Sequence, residues 1–249
     1  MEHWSETILE VLPPDGRALS QADLEVVCAQ RVGQSLDRPA FSESIRALLR
    51  RMMVQRDATS VWRIEADFEE RLLEPGTGTI LQSEVCLDSL RVAPGEFVFE
   101  KTTAAGAAGA GRWSRPDFTL AAIRRFKYDP RRYLDVYSFE LKNRRGANVV
   151  AVHEALAHAR FSHFAYLVCP RSKLNQAETN IIRQACTDHA IGLITFDLSA
   201  GDAQEPVLAE FRFEVSPQRR SPDPAEVDVH LDARLSTLAR DRLLAMVGP

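Results

Sequence analysis

The chain has 249 residues, of which 45% are hydrophobic and 27% are charged, and its formal net charge is −4. This length allows one large domain or two ordinary ones. The composition is that of an average globular protein, which argues against wholesale disorder. No apolar run approaches the length that spans a bilayer, and the acidic N-terminus has no signal-peptide pattern, so we expect no membrane partner.

Cysteine usage points to a reducing compartment. The four cysteines lie far apart in the sequence and form no Cys-x-x-Cys pair, which disfavours a disulfide framework and a zinc site. They are Cys28, Cys86, Cys169 and Cys186. We therefore predict buried thiols and a cytoplasmic location.

Charge is distributed unevenly along the chain. Residues 1–70 contain eight arginines and thirteen acids, whereas residues 101–145 contain eleven basic residues and four acids. A solvated face is the simplest interpretation of such a basic block. Its overlap with the chemical motif described below favours a role in contacting phosphates instead.

In chain order, the first 70 residues predict three helices and a hairpin. Residues 5–12 have helical apolar spacing, Ser20 is placed to cap a second helix, and Pro39 begins a third. Residues 54–56 and 60–64 have the pattern of two short strands. Three helices followed by a hairpin are typical of a winged helix-turn-helix domain, whose third helix enters the DNA major groove.

Arginines on the predicted third helix are the candidate DNA contacts of this domain. They are Arg46, Arg50 and Arg51. The net acidity of residues 1–70 leaves open a different function, that of a small helical domain that binds protein partners.

From Gly76 onward the pattern changes to alternating helices and strands, which predicts an α/β sandwich built on a mixed sheet. The glycine-rich run 103–111 is not followed by Gly-Lys-Ser/Thr, so it predicts a mobile loop and not a P-loop. One amphipathic helix is expected to close the chain after Pro224, with an apolar stripe formed by Val227, Leu231, Leu235, Leu238 and Leu244. The predicted elements are helices at 80–90, 149–163 and 176–189, and strands at 96–103, 117–126, 134–143, 164–169, 191–197 and 209–215.

Two segments carry the candidate chemistry, Pro116-Asp117 and Glu140-Leu141-Lys142. Because side chains alternate along a strand, Glu140 and Lys142 share one face of their strand, while Phe139 and Leu141 share the other, apolar face. An antiparallel hairpin, with its turn at Lys127–Arg132, would bring Asp117 beside Glu140 at one end of the sheet.

Two carboxylates at the edge of a sheet suit a hard divalent cation, which is usually held by one or two carboxylates, waters and substrate phosphate oxygens. We expect Asp117 and Glu140 to hold Mg²⁺ or Mn²⁺. Lys142 would position or deprotonate the attacking water and stabilise the negative charge that develops on the phosphate. The surrounding arginines, with Arg115 and Arg144 nearest in sequence, suit backbone phosphates.

This arrangement resembles the PD-(D/E)xK, or restriction-endonuclease-like, nuclease superfamily over roughly residues 76–200. The whole chain resembles bacterial proteins that join a winged-helix (HARE-HTH-like) domain to such a nuclease domain, often at restriction and defence loci. The resemblance implies domains at 1–70 and 76–249, and a metal-dependent DNA endonuclease. Since cutting both strands often requires two active sites, a homodimer is a candidate assembly.

The resemblance also implies a further acid from the first helix of the nuclease core. Glu84 is our candidate for this catalytic and metal-binding role, with Glu70, Glu74 and Glu100 as rivals. On the helix after the Glu-x-Lys strand, Glu154 stands where related nucleases often have Gln, with His158 one turn later. Both could equally belong to a solvated helix face.

Two other functions remain open at this stage. The chain could be a DNA-binding module that has lost activity, or a protein-interaction subunit of a defence system. The complete set of Asp117, Glu140 and Lys142 favours an active enzyme over the first. The acidic N-terminal stretch supports the second.

Overall fold

The computed structural model describes residues 3–13, 17–103, 115–172, 176–201 and 205–248. The predicted mobile loop lies outside these ranges from residue 104 onward, as does Arg112. Within them the chain forms a mixed α/β fold with a three-stranded and a six-stranded sheet. The elements are α1 (His3–Val11), β1 (Leu19–Ser20), α2 (Gln21–Val32), α3 (Arg38–Arg50), β2 (Val54–Arg56), β3 (Ser60–Arg63), α4 (Glu70–Leu81), α5 (Glu84–Leu90), β4 (Phe97–Lys101), β5 (Phe118–Phe126), β6 (Asp129–Leu141), α6 (Val149–Ala157), β7 (Phe164–Pro170), α7 (Gln176–Asp188), β8 (Gly192–Ala200), β9 (Pro206–Val215), α8 (Pro224–Arg234) and α9 (Thr237–Val247).

The N-terminal helices begin at the caps that the sequence indicates. The Ser20 hydroxyl accepts from the Asp23 N–H at 3.1 Å, and the Asp37 carboxylate accepts from the Ala40 N–H at 3.2 Å. Such caps satisfy backbone donors that the first helical turn leaves free. Three helices and a hairpin are confirmed here, and β1 adds a third strand by pairing with β3.

The larger sheet has the strand order β4-β5-β6-β7-β8-β9. Strands β6, β7 and β8 are parallel, and the remaining neighbours pair antiparallel. The mixed sheet expected from the sequence is confirmed. In this order β6 is a central strand, so its C-terminal end lies inside the sheet and not at an open edge.

Helices cover both faces of this sheet. Phe139 and its neighbours on one face of β6 pack against α4 and α5. On the other face, Val136 packs with α8 and α9, whereas Leu167 of β7 packs with α6 and α7. The predicted alternation along β6 is therefore correct, and its charged end lies between two apolar layers.

The single predicted helix at 80–90 is wrong, because α4 ends at Leu81 and α5 begins at Glu84. The hydroxyl of Ser83 caps α5 by accepting from the Cys86 N–H at 3.4 Å. The start of α4 at Glu70 was missed because Pro75 and the glycines that follow are poor helix formers.

The single closing helix is also wrong, since the chain forms α8 and α9. Leu235 between them has an extended backbone, and Ser236 caps α9. The break shifts the helical phase, so Leu238 and Leu244, predicted on the buried stripe, are 80% and 68% exposed.

The four cysteines are free and buried, as predicted. Among the helices of the described ranges, none combines the length and the apolar content needed to span a bilayer.

Candidate active site

The open end of the β5–β6 hairpin fixes Asp117 beside Glu140. The backbone N–H of Asp117 donates to the Phe139 carbonyl oxygen at 2.9 Å, which continues the strand ladder by one residue. The next contact is made by a side chain, because the Leu141 N–H donates to Oδ2 of Asp117 at 2.6 Å. The carboxylate of Asp117 thus takes the place of a backbone acceptor where β5 has ended.

Lys142 is held between two carboxylates. Its Nζ donates to Oε1 of Glu140 at 2.5 Å and lies 2.8 Å from Oε2 of Glu154, which comes from α6. The three side chains are only 15%, 9% and 18% exposed, respectively. Register along β6 therefore brings Glu140 and Lys142 together as predicted, and Glu154 joins them.

The second oxygen of Glu140 is buried and has no hydrogen-bond partner among the residues that the structure describes. Nε2 of His158 lies 3.8 Å from this oxygen. Burial lowers the pKa of His158 to about 3, with a smaller contribution from His230, so this imidazole is neutral. One face of Glu140 is thus occupied by Lys142, while its other oxygen remains available to a ligand.

Both candidate metal-binding carboxyls resist ionisation. Burial raises the pKa of Asp117 to about 7, against the lowering effects of the Leu141 N–H and of Lys142. Burial and then the charge of Asp117 raise the pKa of Glu140 to about 8. Burial acts to lower the pKa of Lys142, but its carboxylate neighbours raise it above its ordinary value. These are the shifts expected where acids share a site with too little positive charge.

Two further acids reach the site from α4. The charges of Glu70 and Glu74 raise the pKa of Asp117, and Glu74 forms an ion pair with Lys101. With Asp117, Glu140 and Glu154, the site holds five acids against two lysines, Lys101 and Lys142. If every group ionised, the formal charge would be −3, which is an environment that attracts a cation.

Glu84, our candidate for the additional acid, is exposed in the first turn of α5. The charges that act most strongly on Asp117 come instead from Lys142, Glu70 and Glu74. Of the other rivals, Glu100 accepts a hydrogen bond from the Ser236 hydroxyl at 2.5 Å. The spacing of Glu70 and Glu74, four residues apart on one helix face, was the available signal, and Pro75 obscured it.

The donor set suits a hard divalent cation. Mg²⁺ takes one or two carboxylates and completes its shell with water and substrate oxygens, and the site offers Asp117 together with the unpartnered oxygen of Glu140. In the described part of the chain, no group of three or more His, Cys, Asp or Glu side chains is arranged to hold a metal ion alone. The residues present therefore fit a cation shared with waters and substrate, with Glu70 and Glu74 close by.

Much of the basic block lies at the opposite end of the hairpin. The turn is Lys127-Tyr128, shorter than the predicted 127–132 turn, and nine strand residues separate it from Asp117, about 30 Å. Ion pairs join Arg124 to Asp135, Arg125 to Glu96 and Arg131 to Asp129. The basic block therefore does not simply surround the site, as the sequence suggested.

Arg144, a predicted phosphate contact, joins the first 70 residues to the end of β6. Its guanidinium donates to the carbonyl oxygens of Ala66 and Arg171, at 3.0 and 2.8 Å. It lies 3.4 Å from Glu65 and is only 15% exposed. The neighbouring Arg145 is 90% exposed. Arg115, the other predicted phosphate contact, is half-buried. Burial lowers the pKa of Arg234, and the nearby charge of Arg115 lowers that pKa further.

The candidate DNA-binding arginines of α3 lie on its surface. Glu43 pairs with Arg46 at 3.2 Å and with Arg50 at 3.1 Å, where the two arginine side chains are 58% and 59% exposed. Arg51 is exposed at the C-terminal end of the helix. Exposed surface pairs of this kind contribute little energy and can exchange for a phosphate.

No family model, curated protein or solved structure matches this chain.

Proposed function

We propose that this protein is a divalent-metal-dependent DNA endonuclease that hydrolyses phosphodiester bonds. One observation carries the proposal: Asp117, Glu140 and Lys142 meet at the end of β6, and one buried oxygen of Glu140 has no partner in the described part of the chain. A surface salt-bridge cluster would leave its carboxylates solvated, with ordinary pKa values. Here burial raises both pKa values, which a bound cation would reverse.

Asp117 and Glu140 would hold Mg²⁺ or Mn²⁺, with Glu70 and Glu74 adding negative charge around them. The ion, when bound, lowers the pKa of a coordinated water and offsets charge on the scissile phosphate. The Leu141 N–H keeps Asp117 in place before any ligand arrives. This fixed geometry reduces the reorganisation needed for reaction.

Lys142 is the chain's own electrostatic catalyst in this proposal. Its ammonium would stabilise the negative charge that develops on the phosphate oxygens, or orient the attacking water. Glu154 holds the ammonium from the side opposite Glu140, which limits the orientations of a long, flexible side chain. Because its pKa is raised, Lys142 is protonated at neutral pH and acts through charge and not as a base.

We further propose that residues 1–70 form a winged helix-turn-helix domain that directs the nuclease to DNA, in a bacterial restriction or defence context. Supporting this, α3 presents Arg46, Arg50 and Arg51 on its exposed surface, and β2 and β3 form a hairpin directly after it. The contact between Arg144 and the carbonyl of Ala66 ties this part of the chain to the end of β6.

A second candidate is a protein-interaction subunit of such a system. The observation that favours it is the acidity of residues 1–70, together with the pairing of Arg46 and Arg50 to Glu43. Duplex binding by the full chain distinguishes the two, because a protein-interaction domain has no need to bind DNA.

The test of the nuclease proposal is cleavage of duplex DNA by the purified full chain. We expect cleavage with Mg²⁺ or Mn²⁺, none with a chelator, and none from Asp117→Ala, Glu140→Ala or Lys142→Ala variants that remain folded. Variants that cut several DNA and RNA substrates as well as the parent would refute the assignment.

A further inference from the structure

A belt of buried polar side chains lies beneath Glu140. It separates the apolar cluster under α8 and α9 from the cluster under α6 and α7, on one face of the six-stranded sheet. Buried polar groups need partners to offset the loss of hydration. The belt consists of Thr119, Ser138, His158, Ser162 and His230.

Hydrogen bonds fix the backbone of His158 against β6. The Ser162 hydroxyl donates to the His158 carbonyl oxygen at 2.9 Å, and the Ser138 hydroxyl lies 2.9 Å from that of Ser162. Ser138 precedes Glu140 by two residues on the same strand face. These hydrogen bonds therefore hold the backbone of His158 at a fixed position relative to β6, the strand that carries Glu140.

Ring packing fixes the orientation of the imidazole. The His158 ring packs against Phe161 with centroids 5.7 Å apart, and Phe161 stacks on His230 at 3.9 Å. His230 in turn lies 3.2 Å from the hydroxyl of Thr119. His158 is 1% exposed. A ring enclosed in this way has little freedom to turn away from Glu140.

We propose that His158 is a positioning residue for Glu140, and that its Nε2–H is directed at Oε2, the carboxylate oxygen that has no hydrogen-bond partner among the described residues. The two atoms are 3.8 Å apart, so a small rotation of the Glu140 side chain, with the His158 ring held in place, brings them into hydrogen-bond range. Nδ1 of His158 is buried and has no hydrogen-bond partner within the described ranges. An Nδ1–H there would leave a donor unsatisfied, whereas an Nε2–H faces a carboxylate.

The consequence concerns the metal site of the proposed function, on which this part of the inference rests. Each carboxylate oxygen has two acceptor positions, so a contact from His158 to Oε2 of Glu140 leaves the second position of that oxygen for a cation. With Lys142 on Oε1, the contact also fixes the plane of the carboxylate. Groups that orient a metal ligand in this way typically contribute about 10- to 100-fold in metal affinity.

The tautomer is measured first, on the full chain without metal, from the ¹⁵N chemical shifts of the His158 ring. We expect protonated Nε2 and unprotonated Nδ1. Protonated Nδ1 would overturn the proposal. This measurement needs neither cleavage nor metal, so a parent that never cuts DNA fails the proposed function without deciding the role of His158.

Calorimetric titration with Mn²⁺ then compares the parent with His158→Leu, His158→Gln and the control His153→Leu, which alters an exposed histidine of α6. We expect about tenfold weaker binding for His158→Leu, a smaller loss for His158→Gln, whose amide can still donate, and no change for the control. Binding by a folded His158→Leu within twofold of the parent would overturn the proposal. If that variant does not fold, His158→Gln and the tautomer decide.

Discussion

Replacing Asp117 by Asn should stabilise the folded protein at alkaline pH, although it removes a proposed catalytic residue. The pKa of Asp117 rises from 3.8 to about 7 on folding, chiefly because the carboxyl is buried. The folded state therefore retains a proton that the unfolded state has lost, and stability falls as pH rises between about 4 and 7. Asn carries no charge and still offers an oxygen to the Leu141 N–H.

The size of the effect follows from the same pKa. Each factor of ten in the dissociation constant is worth about 1.4 kcal/mol, so the parent loses at most about 4 kcal/mol of stability by pH 8. About 1.5 kcal/mol of that is lost by pH 5. Because Asp117→Asn escapes this loss, its stability advantage should be larger at pH 8 than at pH 5, by about 2.5 kcal/mol. Glu140, whose pKa is about 8, is present in both proteins, and it also lowers the free energy of unfolding as pH rises.

Urea unfolding at pH 5 and pH 8, in the presence of a chelator, measures these differences for the parent and for Asp117→Asn. The control is Asp88→Asn, which neutralises an exposed carboxylate on α5 and should behave as the parent does. The reasoning is refuted if Asp117→Asn is no more stable than the parent at pH 8, or if its advantage is equal at both pH values.

Two further predictions concern the arginines. Arg50→Ala combined with Arg51→Ala should weaken duplex binding and lower the slope of log affinity against log salt concentration by about the contribution of two phosphate contacts. Fluorescence anisotropy over a salt series measures both, and unchanged binding would favour the protein-interaction function. Arg144→Ala should destabilise the chain by about 1–3 kcal/mol in urea unfolding, because the carbonyls of Ala66 and Arg171 lose a buried donor. Arg145→Ala, which removes a 90% exposed side chain, is its control, and equal stabilities of the two variants would contradict the role given to Arg144.

The sequence was most informative along β6, where apolar residues alternate with polar and charged ones. Tyr137, Phe139 and Leu141 face the same side of the sheet. Because side chains alternate along a strand, Glu140 and Lys142 must share the opposite side, where they pair. Because register permits no intermediate position, their juxtaposition was predictable from the alternation alone. The approach of Asp117 followed from the hairpin.

Sequence was least informative where tertiary packing overrides local preference. Pro75 and two nearby glycines argue against a helix, yet burial of Leu73 and Leu81 stabilises α4 and brings Glu70 and Glu74 to the site. The role of the belt histidines was hidden for another reason. His230 is 72 residues from His158 along the chain, and only the folded sheet places them on either side of Phe161.

The basic block at residues 101–145 does not surround the site as predicted, because a run of basic residues in the sequence need not form a basic surface. Arg124 and Arg125 pair with acids outside their own strand, Asp135 and Glu96, and Arg131 pairs with Asp129 on its own strand. The local excess of positive charge is therefore smaller than the count of residues suggests. At the proposed site the excess is of acids, which agrees with a cation there.

The central claim, metal-dependent phosphodiester hydrolysis, is tested most directly by one matched pair of lysine variants. Lys142→Ala removes the ammonium held by Glu140 and Glu154, whereas Lys127→Ala removes one at the far hairpin turn. In a duplex cleavage assay with Mg²⁺ or Mn²⁺, we expect the parent and Lys127→Ala to cut and folded Lys142→Ala to be inactive. Cleavage by Lys142→Ala at the rate of the parent, or no cleavage by any of the three, would contradict the account.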